Sequence, residues 1–207
     1  MKLLVDKIPV AVAEADNARL SDVIERISKE VQTRNRVISE IYVNGRMMGG
    51  WDDPTIEKHK VGDCEDLRLV SEEPRKLAHK VLYDIAGYMK RIQESLVETS
   101  SKIQSRNEQE GMRLLENVTT TWAELYLGLQ NAVTVTGLDL HEIMVDNRSF
   151  LEINEEMHQY LDEISDLVQE QRFLELSDIL EYEIAPRIPL IREGIYKLIK
   201  ELEKKPH

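Results

Sequence analysis

The sequence predicts an α+β chain: a small domain of strands and one helix over residues 1–73, then an all-α antiparallel bundle of about four long helices over residues 74–207. Three observations predict it. Short β-branched runs broken by turn residues fill the first third, most clearly where "VISEIYV" meets Asn44-Gly45. That dipeptide suits a tight hairpin turn, because both positions tolerate positive φ. Beyond Pro74 glycine becomes sparse, and apolar residues recur at steps of four and three, the spacing of one helical face. The chain is 42% hydrophobic and 32% charged, a composition that supports a packed core.

Taken in order, "KLLVD" (Lys2 to Asp6) and "PVAVAEA" read as two strands of a hairpin. In "LSDVIERISKEVQTRN", Leu20, Ile24, Ile27 and Val31 share a helical face, with Asn17 or Ser21 as the cap. "VISEIYV" and "RMM" form strand, turn and short returning strand, ended by Gly49-Gly50. Met47 and Met48 alternate, so one faces the core and the other solvent. Leu67 to Ser71 closes the domain as a last strand.

This order of strand, strand, helix, strand, short strand, strand resembles the ubiquitin-like β-grasp. "IYVNGRMM" is similar to its strand-turn-strand, and "TIEKHKVGDCEDLRLV" to its following loop, turn and last strand. The resemblance covers the first third of the chain and rests on pattern and spacing. It implies a built-in docking module. It does not imply a conjugated modifier: Gly49-Gly50 is internal, and the last strand runs on into "EEPRKLAHK".

In the remainder, Ala78, Leu82, Ile85, Met89, Ile92, Leu96, Thr99 and Ile103 make one seam, on the order of 45 Å long. A second runs through Leu115, Val118, Trp122, Leu125, Leu129 and Ala132, and Gly137 stops its helix. A short helix is expected from Asp139, with Glu142 completing a capping box; Ser149 and Glu152 make a clearer one. The third seam is Phe150, Ile153, Met157, Tyr160, Ile164 and Leu167. The fourth helix spans Phe173 to Lys204 and contains Pro186 and Pro189, so it reads as one kinked helix or two abutting ones. Its apolar stripe continues through Ile188, Ile191, Ile195, Leu198 and Leu202.

Catalytic signatures are missing from the sequence. It has no phosphate-binding glycine-rich loop, nucleophile elbow or dinucleotide fingerprint. Glu155 and His158 form one Glu-x-x-His unit, whereas a di-iron carboxylate bundle needs two. Cys64 is the one cysteine and sits among Asp63, Glu65 and Asp66, which disfavour a thiolate. A lone cysteine fits a reducing cytoplasm, and no run reaches the roughly 18 apolar residues of a membrane span.

The net charge is −12, with −4 in residues 1–73 and −8 beyond. Acid spread over both parts, with aromatics at 5%, argues against a nucleic-acid partner. The expectation is therefore a non-enzymatic cytoplasmic interaction or adaptor protein. It would have no cofactor, catalytic residue or metal ligand, no membrane or nucleic-acid partner, and another protein as its partner. Candidate partner-binding residues are Trp51 and Met48 in the first domain. In the bundle they are Asp178, Glu181 and Tyr182, in the stretch "ELSDILEYEIAPRIP". One alternative is a metal-binding helical bundle or enzyme using Glu155 and His158. Another is a structural homodimer or larger homo-oligomer, or an export-chaperone-like protein.

Overall fold

The β-branched runs of the first third pair into one mixed sheet in the order β2-β1-β5-β3-β4. The strands are β1 (Lys2–Val5), β2 (Ile8–Val10), β3 (Val37–Val43), β4 (Arg46–Met47) and β5 (Asp66–Glu72). At its centre β1 and β5 run parallel; the other neighbours are antiparallel. The computed structural model describes residues 1–50 and 53–204. The protein is of mixed α+β class, the five-stranded sheet being followed by helices. The chain divides into two units, Met1–Leu77 and Ala78–His207.

In the first unit, α1 (Leu20–Gln32) lays Leu20, Val23, Ile24, Ile27 and Val31 against Leu3, Ile38, Ile41, Val43, Leu67 and Leu69 of the sheet. The period-four-and-three face of the helix meets the period-two face of the strands, and each buries what the other cannot. The start of α1 differs from expectation. Neither Asn17 nor Ser21 caps it: Arg19 is the N-cap, and the Asp22 carboxylate accepts the Arg19 N–H at 3.2 Å. Short helices over Pro54–Lys58 (α2) and Val61–Asp63 lie between β4 and β5.

The Asn44-Gly45 turn has a second task. Both residues adopt positive φ, 50° and 77°, and the Asn44 Oδ1 accepts the backbone N–H groups of Glu65 (2.9 Å) and Asp66 (3.1 Å). The turn is thereby tied to the start of β5. Asn44→Ala loses both bonds and the tolerance of the left-handed region that the short amide side chain gives, an expected cost of about 2 kcal/mol in urea unfolding. Asn44→Gly relieves the backbone cost and keeps part of that stability; equal loss in both variants would refute this account of the turn.

In the second unit, every residue of the first seam is buried along α3 (Pro74–Gln104). The next helices are α4 (Glu108–Thr136) and α5 (Phe150–Gln169). They share one apolar core with the final helical run, with Leu82, Met89, Phe150, Met157, Ile195 and Leu198 at most 2% exposed. Residues 139–149 do not form the expected short helix. A hairpin of β6 (Met144–Val145) and β7 (Arg148–Ser149) stands there instead. Asp146 and Asn147 supply its two-residue turn, with φ of 50° and 62°, the handedness that matches strand twist. Ser149 then caps α5 in a reciprocal box with Glu152.

The last element is a helical run of two α-helices joined by non-α turns. After α6 (Phe173–Asp178) the backbone widens into a π-helical segment over Ile179–Ile184. It tightens to a 3-10 turn at Ala185–Arg187 and continues as α7 (Ile188–Lys204). Pro186 lies in the tight turn and Pro189 in the first turn of α7. There their missing N–H groups cost least, because the regular i→i−4 ladder is already interrupted.

Candidate functional site

A concavity of the second unit lies between α4 and α5, with a volume of about 1120 Å³. One wall is a stripe on α4 that includes Met112, Glu116, Thr119, Trp122, Ala123, Tyr126, Leu127 and Gln130. The other is His158, Leu161, Ile164, Ser165, Val168 and Gln169 on α5. Both sets recur at steps of three and four, so the groove runs along the helices. Its α4 wall, from Gln109 to Gln130, is on the order of 30 Å long, and its α5 wall about 16 Å.

The groove exists because α4 carries more apolar surface than its core seam uses. Trp122, Leu129 and Ala132 point into the core. Leu127 stands one stripe over and stays 58% exposed. Tyr126 is fixed against α5 by His158, whose ring meets it edge-on at 4.3 Å between centroids. Below the groove, Trp122 and Tyr126 also border a small cavity of about 10 Å³ together with Asn154, the space of about one water. The indole Nε1 of Trp122 and the Oδ1 of Asn154 are both buried with no hydrogen-bond partner among the described residues. Asn154 itself is held by its Nδ2, which donates to the Phe150 carbonyl at 2.6 Å.

The electrostatics around the groove are one-sided. α4 and α5 together contain ten acidic residues and one basic one, Arg113, a balance of −9 in a chain of −12. Arg113 is already engaged by Glu110 of its own helix, at 2.9 and 2.6 Å. These bonds hold the Glu110 carboxyl below the ordinary glutamate range and push the Arg113 guanidinium up. On α5, Glu155, Asp162 and Asp166 are exposed and spaced seven and four apart, a ridge beside the His158 and Gln169 edge of the groove. Glu116 and Glu124 are exposed along the α4 side.

The residues singled out in the sequence fall elsewhere. Trp51 lies outside the described residues. Met48 is corrected: at 6% exposure it is a core residue, and Met47, 57% exposed, is the outward member of the pair. The Met48 N–H donates to the Ile41 carbonyl at 2.9 Å, which extends the ladder and fixes which side chain turns inward. Asp178 ends α6, and Glu181 and Tyr182 follow in the π-helical segment. Glu181 turns to α3, accepting from Ser100 Oγ at 2.9 Å and Gln104 Nε2 at 3.1 Å. Tyr182 is 63% exposed and Asp178 is exposed as well. The nearby Glu181 charge, aided by burial, raises the Tyr182 hydroxyl pKa.

Cys64 is buried at 3% exposure, and burial together with Asp63 pushes its thiol up. Glu155 and His158 do not gather further ligands: among the described residues no three His, Cys, Asp or Glu side chains are grouped to hold a metal ion. No helix among the described residues is long and apolar enough to cross a membrane. The groove itself was not foreseen. Its signal was "ELYLGLQ", where Leu125, Leu127 and Leu129 spread apolar surface around α4 beyond a single seam.

No curated protein and no solved structure matches the chain. A family model does, and the matched segment contains both walls of the groove and the α4–α5 hairpin whole. That segment is residues 80–194, more than half of the 207, and the chain belongs to the family described as Domain of unknown function (DUF8042).

Proposed function

We propose that this is a non-enzymatic interaction or adaptor protein whose helical unit holds an apolar helix of another protein in the α4–α5 groove. The observation that carries the reading is the groove itself. It is long, lined at helical spacing on both walls, and presents Leu127 largely exposed beside the buried Trp122. Helix-in-groove recognition uses such a surface, read by anchors three and four residues apart, and an exposed apolar patch of this kind marks a binding site. In this reading the second unit is an antiparallel four-helix bundle, made of α3, α4, α5 and the α6–α7 run. The first is a ubiquitin-like β-grasp, supported by its element order and its central parallel β1–β5 pair. A reducing, cytoplasmic setting fits the single buried thiol of Cys64.

The test places a photo-crosslinking amino acid at position 127 of the full chain in its native cells, with position 83 as control. Tyr83 is equally exposed, at 62%, but lies on α3 outside the groove. The expected result is a discrete adduct from position 127 alone, whose crosslinked peptide maps to an amphipathic helical segment. The same adducts from both positions, or none from 127, would remove the reading.

A further inference from the structure

We propose that the occupant of the α4–α5 groove is a cationic amphipathic helix: a segment with an apolar face seated in the groove and Lys or Arg along both flanks. This rests on the groove being a binding site and adds the chemistry of the partner. The floor supplies apolar contact through Trp122, Leu127, Leu161 and Val168. The flanks supply negative charge, with Glu116 and Glu124 along one wall and Asp162 and Asp166 along the other.

These carboxylates are exposed, so each pairing with an incoming cation contributes little alone. Together they set a field that speeds encounter and rejects anionic helices. The same field excludes a second copy of this chain as occupant. A two-fold contact would set the flanking carboxylates of Glu116, Glu124, Asp162 and Asp166 against those of the other copy. The roughly 16 Å over which both walls face each other seats about three turns of helix.

The probes are three fluorescently labelled peptides of about 18 residues, long enough to form helix on their own. They share one Leu/Ala face and carry Lys, Gln or Glu on the other. Fluorescence anisotropy with the full chain should show the Lys peptide binding at least about tenfold tighter than the Gln peptide, and the Glu peptide weakest. Raising salt should narrow the difference.

Leu127→Glu separates groove binding from attraction to an acidic surface. It adds a negative charge, so charge alone predicts tighter binding of the Lys peptide; seating in the groove predicts at least about a tenfold loss. The double variant Asp162→Asn, Asp166→Asn should bring the Lys peptide toward the Gln peptide and leave the Gln peptide unchanged. Equal binding of all three peptides, each lost in Leu127→Glu, would overturn the cationic partner while keeping the groove. Undiminished Lys-peptide binding by Leu127→Glu would overturn the seating. No binding by any peptide would overturn both. A dimer in sedimentation that Leu127→Glu dissociates would assign the groove to a second copy.

Discussion

Gly194→Ala is expected to destabilise the helical unit by about 1–3 kcal/mol, although alanine is the better helix former. Gly194 is buried on α7, and a β-carbon there would sit 2.3 Å from both Cδ2 and Cε2 of the Phe150 ring and 2.8 Å from its Cγ. No carbon pair tolerates that approach, so the ring or the helix must move. The ring has little freedom: Phe150 is 0% exposed and is the first residue of α5. Its backbone N–H is bound to the Ile143 carbonyl at 2.7 Å, and the Ser149–Glu152 box fixes the turn on which it stands. The helix-propensity gain of about 1 kcal/mol is too small to offset the overlap.

A double-mutant cycle makes the account specific. Phe150→Ala alone should cost about 3–5 kcal/mol through lost burial and the cavity it leaves. In that background the added methyl of Gly194→Ala fills space instead of colliding, so its effect should vanish or reverse. Urea unfolding followed by far-UV circular dichroism reads all four proteins. A Gly194→Ala midpoint at or above wild type, or simple additivity with Phe150→Ala, would show that the ring does not constrain the helix.

The second large effect is expected at Arg187. Its guanidinium donates to Glu156 Oε1 from Nε and Nη2, at 3.0 and 2.9 Å, and to Glu183 Oε2 from Nη1 at 2.9 Å. It lies over the Tyr160 ring with Cζ 4.7 Å from the centroid, and the Tyr160 hydroxyl donates to Glu183 at 3.0 Å. These contacts join α5 to the turn that leads into α7. Arg187→Met keeps the apolar stem but leaves Glu156, whose side chain is 23% exposed, with Arg148 as its remaining ion-pair partner. Breaking a fully buried pair costs about 3–5 kcal/mol. The partial exposure of this one lowers the expectation to about 2 kcal/mol.

The pH dependence gives the same prediction a sign. Burial, the largest influence on Glu156, pushes its carboxyl up. Hydrogen bonds and charge from Arg187 and Arg148 together outweigh it, and the carboxyl ends below its ordinary value of 4.5. A carboxyl depressed in the folded state contributes stability that is complete above its unfolded pKa and is lost as pH falls through the folded one. The gap between wild type and Arg187→Met should therefore be full at neutral pH and shrink below about pH 4.5. In the variant only Arg148 is left to oppose burial, so Glu156 should titrate higher than in wild type. A gap that stays constant from neutral pH into acid would mean that Arg187 acts through its packing alone.

The elements and their core faces were written locally. The sheet-forming runs, the Asn44-Gly45 turn, the eight-residue seam of α3 and the Ser149–Glu152 box each depend on residues within a few positions of one another. Periodicity and turn chemistry therefore reveal them. Where two local signals competed, the sequence misled: the Asp139–Glu142 spacing suggested a helix, while Asp146-Asn147 made a hairpin whose positive φ values stabilise the reversal directly. Pro186 and Pro189 announced an irregularity without its form, because a π segment and a tight turn accommodate them as well as a kink does. Likewise the alternation of Met47 and Met48 required one inward side chain. Pairing with Ile41 across the hairpin chose Met48.

The openness of the site was decided by tertiary structure. The spacing of α4 marks its core seam, but nothing in the helix's own sequence says whether the neighbouring stripe of Leu127 will also be covered. Packing in the core buries the stripe of Trp122 and Leu129. The placement of α5 leaves that of Leu127 facing an open groove, rimmed by carboxylates from both helices. A helix determines its own faces through its 3.6-residue period. Which face remains for a partner depends on neighbours far along the chain, and only the folded molecule brings them together.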